Sequence, residues 1–166
     1  MKRRYRDPYI RVLENFNQKG IRYVVVGMAG INYYARNAAE MFATMDYDLF
    51  LEPSLSNVEK TIQSPKTLRF TLATQKRQFK QIDLKKIVRE RRTLIATTED
   101  GILVELLLKI SGYPFSELAK DAATFTVDGI PIKVGRLTKL LLSKRLANRP
   151  KDRLFLKRYK VSLEDE

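Results

Sequence analysis

The apolar positions in the first half of the chain change from helical spacing to strand-like runs and back. Apolar residues that follow Asp7-Pro8 recur at helical spacing until Gly20, which is typical of a helix stop. A run of β-branched residues then ends at Gly27 and indicates a buried strand. The pattern predicts, in order, a helix over 8–19, a strand over 21–26, a short helix over 31–35, a strand over 44–51 and a helix from 54 to about 62.

The second half of the chain is basic and polar up to residue 92 and then rich in strand patterns. Asp128-Gly129 between two apolar runs is a strong β-hairpin signal, and a second turn is expected at 99–101. The elements predicted are a helix over 83–90, strands over 93–97 and 102–110, a short helix over 114–120, a hairpin over 125–134, and helices over 137–148 and 150–159.

Helices and strands that alternate in this way predict a single α/β domain. The chain has 166 residues, of which 44% are hydrophobic, and this is enough to bury a core. No repeat or linker interrupts it, so we expect one domain over 1–166 with a C-terminal helical extension over 137–166. No apolar run approaches the ~18 residues that cross a bilayer, and no secretory signal is recognisable. We therefore expect a cytoplasmic protein without a membrane partner.

The composition restricts the chemistry that the chain can perform. Cysteine and histidine are both absent, which excludes thiolate nucleophiles, Ser-His-Asp relays and thiolate or imidazole metal sites. A metal would be held by oxygen atoms, which favours Mg²⁺ or Mn²⁺ over zinc or copper. Proton transfer would fall to a carboxylate, a lysine, a tyrosine or water.

The chain carries a large positive charge. Its formal net charge is +13, with a pI near 10.0. A solvated basic surface would account for part of this excess, but an acidic partner is favoured, with nucleic acid ahead of a membrane surface.

Two acidic residues, Asp46 and Asp48, stand at the beginning of the predicted strand TMDYDLFL. Because side chains alternate along a strand, both would point to one side with Cα atoms about 7 Å apart. The residues after them are apolar, so the strand enters a core and the two charges repel each other unless a cation lies between them. Mg²⁺ takes one or two carboxylates together with phosphate oxygens and water. The alternative is a solvated strand end.

A third acidic residue, Glu105, lies inside the apolar run ILVELLL, which is typical of a central sheet strand. Burial of an unpaired carboxylate costs several kcal/mol or forces the group to take up a proton. A metal or a lysine would remove this penalty. We interpret Glu105 as a third metal ligand or as a base near the metal, and a structural salt bridge is the alternative.

Two further segments carry groups that suit an anion. A slim turn at Gly27, before a short helix, can point backbone N–H groups at a phosphate, although such glycines also serve plain chain reversal. In the C-terminal segment Lys144 can face the sheet, and Asp152 can pair with Arg149 or orient Lys144. The cations beyond them are interpreted as solvated or as loose contacts to a polyanion; they are Arg153, Lys157, Arg158 and Lys160.

In order and spacing these pieces resemble the nucleotidyltransferase superfamily, in its branch of minimal and AbiEii-like enzymes. The residues that carry the resemblance are Gly27, Thr44-Met45-Asp46-Tyr47-Asp48, Glu105 and Lys144…Arg149-Pro150-Lys151-Asp152. The resemblance implies an α/β fold with a mixed sheet flanked by helices. It also implies that metal ions clamp an NTP while its NMP group passes to an acceptor hydroxyl with loss of pyrophosphate.

The resemblance also implies roles for individual residues. Metal ligands would be Asp46, Asp48 and Glu105, the last of which could instead activate the acceptor hydroxyl. The residues that would carry catalysis are Asp46, Asp48, Glu105, Lys144 and Asp152. Those that would contact the nucleotide are Gly27, Met28, Thr44, Lys144 and Arg149.

Three hypotheses follow for the function. The first is a metal-dependent nucleotidyltransferase whose acceptor is RNA such as tRNA, with a toxin of a toxin–antitoxin pair as one setting, in which an antitoxin protein would be a partner. The second is a catalytically degenerate module that binds nucleotide or nucleic acid, because Met28 and Phe42 stand where the family has small and basic residues. The third is a scaffold or antitoxin that binds an acidic protein.

Overall fold

A computed structural model describes residues 7–44, 46–63, 71–74, 83–98 and 101–164, with side chains up to residue 159 in the last helix. The strands within these ranges are β1 (Tyr23–Val26), β2 (Asp48–Leu51), β3 (Thr71–Thr74), β4 (Leu94–Thr97), β5 (Leu103–Leu107), β6 (Ala123–Val127) and β7 (Ile130–Val134). The α-helices are α1 (Pro8–Gln18), α2 (Gly27–Asn32), α3 (Leu55–Gln63), α4 (Leu84–Glu90), α5 (Phe115–Lys120), α6 (Leu137–Ala147) and α7 (Pro150–Glu164).

The seven strands form one mixed sheet in the order β3-β4-β5-β2-β1-β7-β6. The pairs β2–β5 and β1–β7 are parallel, and the other neighbours are antiparallel. Strands at the centre of such a sheet are covered on both faces and therefore read as continuous apolar runs. All four residues of β1 are buried, as this predicts. The predicted α/β fold with a mixed sheet and C-terminal helices is confirmed.

The register of the central strands places an acidic residue of β2 beside an acidic residue of β5. Val26, the last residue of β1, pairs with Asp48, the first residue of β2. Asp48 in turn pairs with Glu105 in the middle of β5. Registered neighbours on adjacent strands point to the same face and lie about 5 Å apart. The sheet therefore brings two distant acidic residues together at the end of β1.

The C-terminal helices are fixed against the rest of the domain by apolar and aromatic contacts. Helix α6 packs on α2 and on α7. Phe155 of α7 is 4% exposed, and its ring lies 4.8 Å from that of Phe42 and 5.8 Å from that of Tyr159. Phe42 therefore has a packing role here. None of the helices within the described ranges combines the length and the apolar character needed for a bilayer crossing.

Most predicted elements are confirmed. Asp7 caps α1 by accepting a hydrogen bond from the Tyr9 N–H at 2.9 Å. At the hairpin turn Asp128 and Gly129 have φ values of 51° and 78°, as a type I′ turn requires. Antiparallel pairing of β4 with β5 matches the expected turn at 99–101, of which 99 and 100 lie outside the described residues.

The boundaries of several elements were predicted wrongly. The strand predicted over 44–51 begins only at Asp48. Ahead of it the Thr44 hydroxyl accepts a hydrogen bond from the Asp46 N–H at 3.1 Å and donates one to the Asp46 carbonyl at 3.2 Å. Such local bonds compete with strand pairing. The short helix predicted over 31–35 begins at Gly27 instead, the last helix runs on to Glu164, and β3 was not predicted.

Candidate active site

Asp48 and Glu105 form an adjacent carboxylate pair on the sheet. Their side chains come from parallel, directly paired positions of β2 and β5 and are both partly buried. The Oδ1 atom of Asp48 is buried and has no hydrogen-bond partner in the part of the chain that the structure describes. A buried carboxylate oxygen without a donor is costly, because nothing replaces its lost water. This arrangement calls for a proton, a cation or a ligand donor at Asp48.

The pKa of Asp48 also indicates that its negative charge is not compensated. Burial, then the negative charge of Glu105 and that of Asp46, raise the pKa of Asp48 from its ordinary 3.8 to about 7, while the charge of Lys144 acts in the opposite direction. The pair thus holds more negative charge than the protein neutralises by itself. Nearby negative charges disfavour the ionised form of Asp48.

Gly27 is required by the close approach of the Asp48 carboxylate. Its φ of +66° lies in the left-handed region, and a Cβ added there would lie 2.4 Å from Asp48 Oδ2. No side chain larger than hydrogen can stand at this position while Asp48 keeps its place. The turn after β1 is therefore slim where the acidic pair lies, as the sequence predicts.

Asp46 is placed differently from its prediction. It precedes β2 and is exposed, so the prediction that it lies on the same strand as Asp48 is wrong. Its charge still acts on Asp48. Among the described residues, no three acidic side chains lie close enough together to hold a metal ion. Two of the three predicted metal ligands are therefore adjacent, and the role of Asp46 stays a prediction. Thr44 is exposed and bonds to Asp46.

A cluster of cations faces the acidic pair from the C-terminal helices. Lys144 of α6 has a side chain only 12% exposed and lies 3.4 Å from Asp152 Oδ1. Arg149, just before α7, donates to Asp152 Oδ2 from Nε at 2.6 Å and from its backbone N–H at 3.2 Å. The Nη2 atom of Arg149 donates to Asp152 Oδ1 at 3.1 Å. Asp152 therefore orients both cations, which is the role the sequence left open for it.

The pKa values in this cluster follow from these contacts. Burial favours protonation of Asp152, but the hydrogen bond from Arg149 and the charge of Lys144 outweigh it and hold the pKa of Asp152 below its usual range. Burial lowers the pKa of Lys144, against the effect of the Asp152 charge. Lys144 lies near enough for its charge to favour the ionised form of Asp48. The cations thus face the acidic pair while Asp152 keeps them in place.

A cavity of about 500 Å³ is lined by Asp48 and by the cations Lys144 and Arg149. Its polar lining consists of Asp48, Lys109, Ser111, Ser143, Lys144 and Arg149, and its apolar lining of Val26, Leu107, Ile110, Leu140 and Ala147, with Gly27 at the turn. Glu105, the registered neighbour of Asp48, is not among the described lining residues. Ligand pockets for small molecules commonly span 300–1,000 Å³. The volume and the mixed lining suit a molecule with an apolar and an anionic part.

Some lining residues were not predicted, and two predicted nucleotide contacts, Met28 and Thr44, are not among the described lining residues. Lys109, Ser111 and Ser143 line the cavity without having been singled out. A usable signal for Lys109 and Ser111 was their place directly after the strand that carries Glu105. Met28, predicted to contact the nucleotide, is partly buried against the core instead and is not among the described lining residues.

The donor set fits a hard divalent cation. Asp48 offers a buried oxygen without a partner, and Glu105 lies beside it. Mg²⁺ is commonly bound by one or two carboxylates and completed by phosphate oxygens and water. The cations across the cavity would then contact the same phosphates. A scan against protein-family models finds no match for this chain, and a search of curated proteins finds no significant match.

Proposed function

We propose that the protein is a metal-dependent nucleotidyltransferase, which moves an NMP group from an NTP to an acceptor hydroxyl. The observation that carries the proposal is one cavity that is lined by Asp48, whose registered neighbour is Glu105, and by the cations Lys144 and Arg149. Carboxylates for a hard cation and cations for phosphate at one cavity suit a metal–triphosphate ligand. The resemblance of the sequence motifs to this superfamily supports the same conclusion.

Each residue then has a defined task. Asp48 and Glu105 would hold Mg²⁺ or Mn²⁺, which when bound neutralises phosphate charge and stabilises the attacking and leaving oxygens. Lys144 and Arg149 would bind the phosphates, and Asp152 would keep both oriented. In the alternative role Glu105 would not hold the metal but would accept the proton of the acceptor hydroxyl. The hydroxyl oxygen then bonds to the α-phosphorus as the bond to pyrophosphate breaks.

RNA is the acceptor that the charge of the chain favours. A net charge of +13 attracts a polyanion, because lysine and arginine side chains that neutralise phosphates release counterions. A tRNA is the acceptor that we propose first, and toxin activity controlled by an antitoxin protein is a consistent setting. A cytoplasmic location belongs to the same proposal.

Thermal-shift titration tests metal and nucleotide binding. Mg²⁺ with each NTP should raise the melting temperature of the wild type, because a ligand that binds only the folded state stabilises it by mass action. Asp48→Asn should lose most of this shift. Asp128→Asn is the matched control, since it makes the same chemical change in an exposed hairpin turn that accepts asparagine. Equal shifts in the wild type and in Asp48→Asn would refute the proposed site.

Transfer itself is tested with labelled nucleotides. The wild type is incubated with Mg²⁺, each labelled NTP and total tRNA, and label in the RNA is measured. We expect label from one NTP or a few, and none with Asp48→Asn. Absence of label with every NTP would refute transfer to tRNA.

A catalytically degenerate nucleotide-binding module is the second candidate. It is favoured by the exposed position of Asp46 outside β2, which leaves two rather than three adjacent carboxylates among the described residues. This candidate predicts nucleotide binding that needs no metal and survives Asp48→Asn, without transfer of label.

A further inference from the structure

The two C-terminal helices are strongly basic. Residues 137–159 contain eight lysine and arginine residues and one acidic residue, Asp152. Asp152 is 1% exposed and already bonded to Arg149 and Lys144. The exposed cations of this stretch are Arg145, Arg149, Lys151, Arg153, Lys157 and Arg158. A surface with so many cations and no exposed carboxylate in the same stretch suits a polyanion.

Three of these cations form a row that begins at the cavity. Arg153 and Lys157 lie on successive turns of one face of α7, about 6 Å apart along the axis, and Arg149 comes one interval of four residues earlier, at the residue that precedes the helix. Arg149 itself lines the cavity. The next guanidinium, that of Arg153, donates to the Asn148 carbonyl at 2.9 Å and so stays close to the start of the helix. The row therefore leads away from the candidate active site.

Packing of α7 fixes the row relative to the cavity. On the opposite side of the helix Phe155 is buried against Phe42, and the ammonium of Lys144 lies 5.1 Å from the centre of the Phe155 ring. The helix that carries the row therefore contacts directly a cation of the cavity wall. A ligand bound along Arg153 and Lys157 would hold a constant position with respect to Asp48 and Glu105.

We propose that the row Arg149–Arg153–Lys157 binds the phosphate backbone of an RNA strand and guides its end into the cavity as the acceptor. The proposal rests on the proposed function, and it assigns a binding role to Arg153 and Lys157. Evenly spaced single charges that start at the cavity fit a backbone of repeating phosphates. An acidic protein segment is the competing ligand, because Leu142, Leu146 and Leu154 are exposed on the same helices.

A salt titration of RNA binding tests the row. The probe is a fluorescent RNA hairpin with a single-stranded 3′ end, and anisotropy is measured at several KCl concentrations without metal or NTP. Arg153→Gln with Lys157→Gln should make the negative slope of log K against log salt shallower by about 1.4. Each contact to a single-strand phosphate contributes about 0.7 to the magnitude of this slope. Affinity near 0.1 M salt should fall on the order of tenfold.

The matched control removes the same charge elsewhere. Lys85 and Lys86 are exposed on α4, which packs on α3, so Lys85→Gln with Lys86→Gln gives the same net charge. This pair should leave the slope close to that of the wild type. Equal effects of both pairs, or no effect of either, would overturn the proposal. So would a polyglutamate probe whose binding depends on Arg153 and Lys157 while RNA binding does not, which would indicate a protein partner.

The rise in melting temperature with Mg²⁺ and NTP separates this inference from the proposed function. Arg153→Gln with Lys157→Gln should keep the wild-type thermal shift with Mg²⁺ and NTP, because neither residue is among those that line the cavity. If the wild type shows no nucleotide shift but the two double variants still differ in salt slope, nucleotidyl transfer fails and the RNA surface stands. The reverse pattern overturns the RNA surface alone.

Discussion

Asp48 lines the cavity, and Asp152 bonds to the lining residues Lys144 and Arg149. Both have buried carboxylate oxygens, but their surroundings are opposite. Asp152 accepts four hydrogen bonds from Arg149 and Lys144, whereas a buried oxygen of Asp48 has no donor among the described residues. A carboxylate of the first kind holds structure together. One of the second kind weakens the free protein and is expected where a ligand completes the site.

The largest effect should come from replacement of Asp152, the carboxylate that is paired with cations. Asp152→Asn leaves the nearly buried Lys144 without its counterion and should lower the free energy of unfolding by about 3 kcal/mol. It should also weaken nucleotide binding, because Lys144 and Arg149 lose their orientation. Urea denaturation and the nucleotide thermal shift measure the two effects.

Asp121→Asn is the control for this comparison. Asp121 pairs with Lys139 at 2.9 Å but is solvent-exposed, so its loss should change stability little. Similar losses for Asp152→Asn and Asp121→Asn would contradict the role assigned to Asp152.

The next effect has the opposite sign. Because the pKa of Asp48 is raised from 3.8 to about 7, the folded state binds this proton more tightly than the unfolded state does. The free energy of unfolding of the wild type should therefore fall as the pH rises from about 4 to about 7. Asp48→Asn removes this fall, so without metal the variant should be more stable than the wild type above pH 7, on the order of 2 kcal/mol.

Urea denaturation at pH 4 and at pH 8 in the presence of EDTA measures the difference. At pH 4 the wild type and Asp48→Asn should have similar free energies of unfolding. At pH 8 the variant should have the higher free energy of unfolding. A variant that is less stable than the wild type at both pH values would mean that Asp48 is paired in solution as Asp152 is.

The smallest effect concerns the glycine below Asp48. Gly27→Ala and Gly20→Ala share the cost of a left-handed φ, at +66° and +65°, but a Cβ at Gly20 meets no atom within 4 Å. The difference between the two variants isolates the collision with Asp48, and we expect Gly27→Ala to be the less stable by about 1 kcal/mol. Equal stabilities would show that the carboxylate can move aside freely.

The sequence predicts the acidic pair because both residues interrupt apolar runs of central strands. Asp48 precedes LFL and Glu105 lies inside ILVELLL, so burial of both follows from the pattern itself. Asp46 has the same spacing to Asp48 as a strand neighbour, but the hydrogen bonds of Thr44 hold it outside the strand. Local side-chain bonds of this kind are not visible in a hydrophobic pattern.

The parts of the site that depend on packing between distant segments were harder to predict. Ser111 and Ser143 come from distant segments that both line the cavity, and no periodicity in the sequence encodes that meeting. The charge run of the last helix, by contrast, was evident in the sequence. Its direction away from the cavity became apparent only from the position of Arg149 beside Asp48.

The parallel pairing of β2 with β5 has a consequence for a chain that is still being made. Asp48 cannot meet Glu105 until all of β5 has left the ribosome, and Arg149 follows later still. Growing chains fold from the N-terminus onwards as residues emerge. The unfinished protein therefore lacks first Glu105 and then the cations of its cavity, and the repulsion between the two acidic residues arises before Arg149 has emerged.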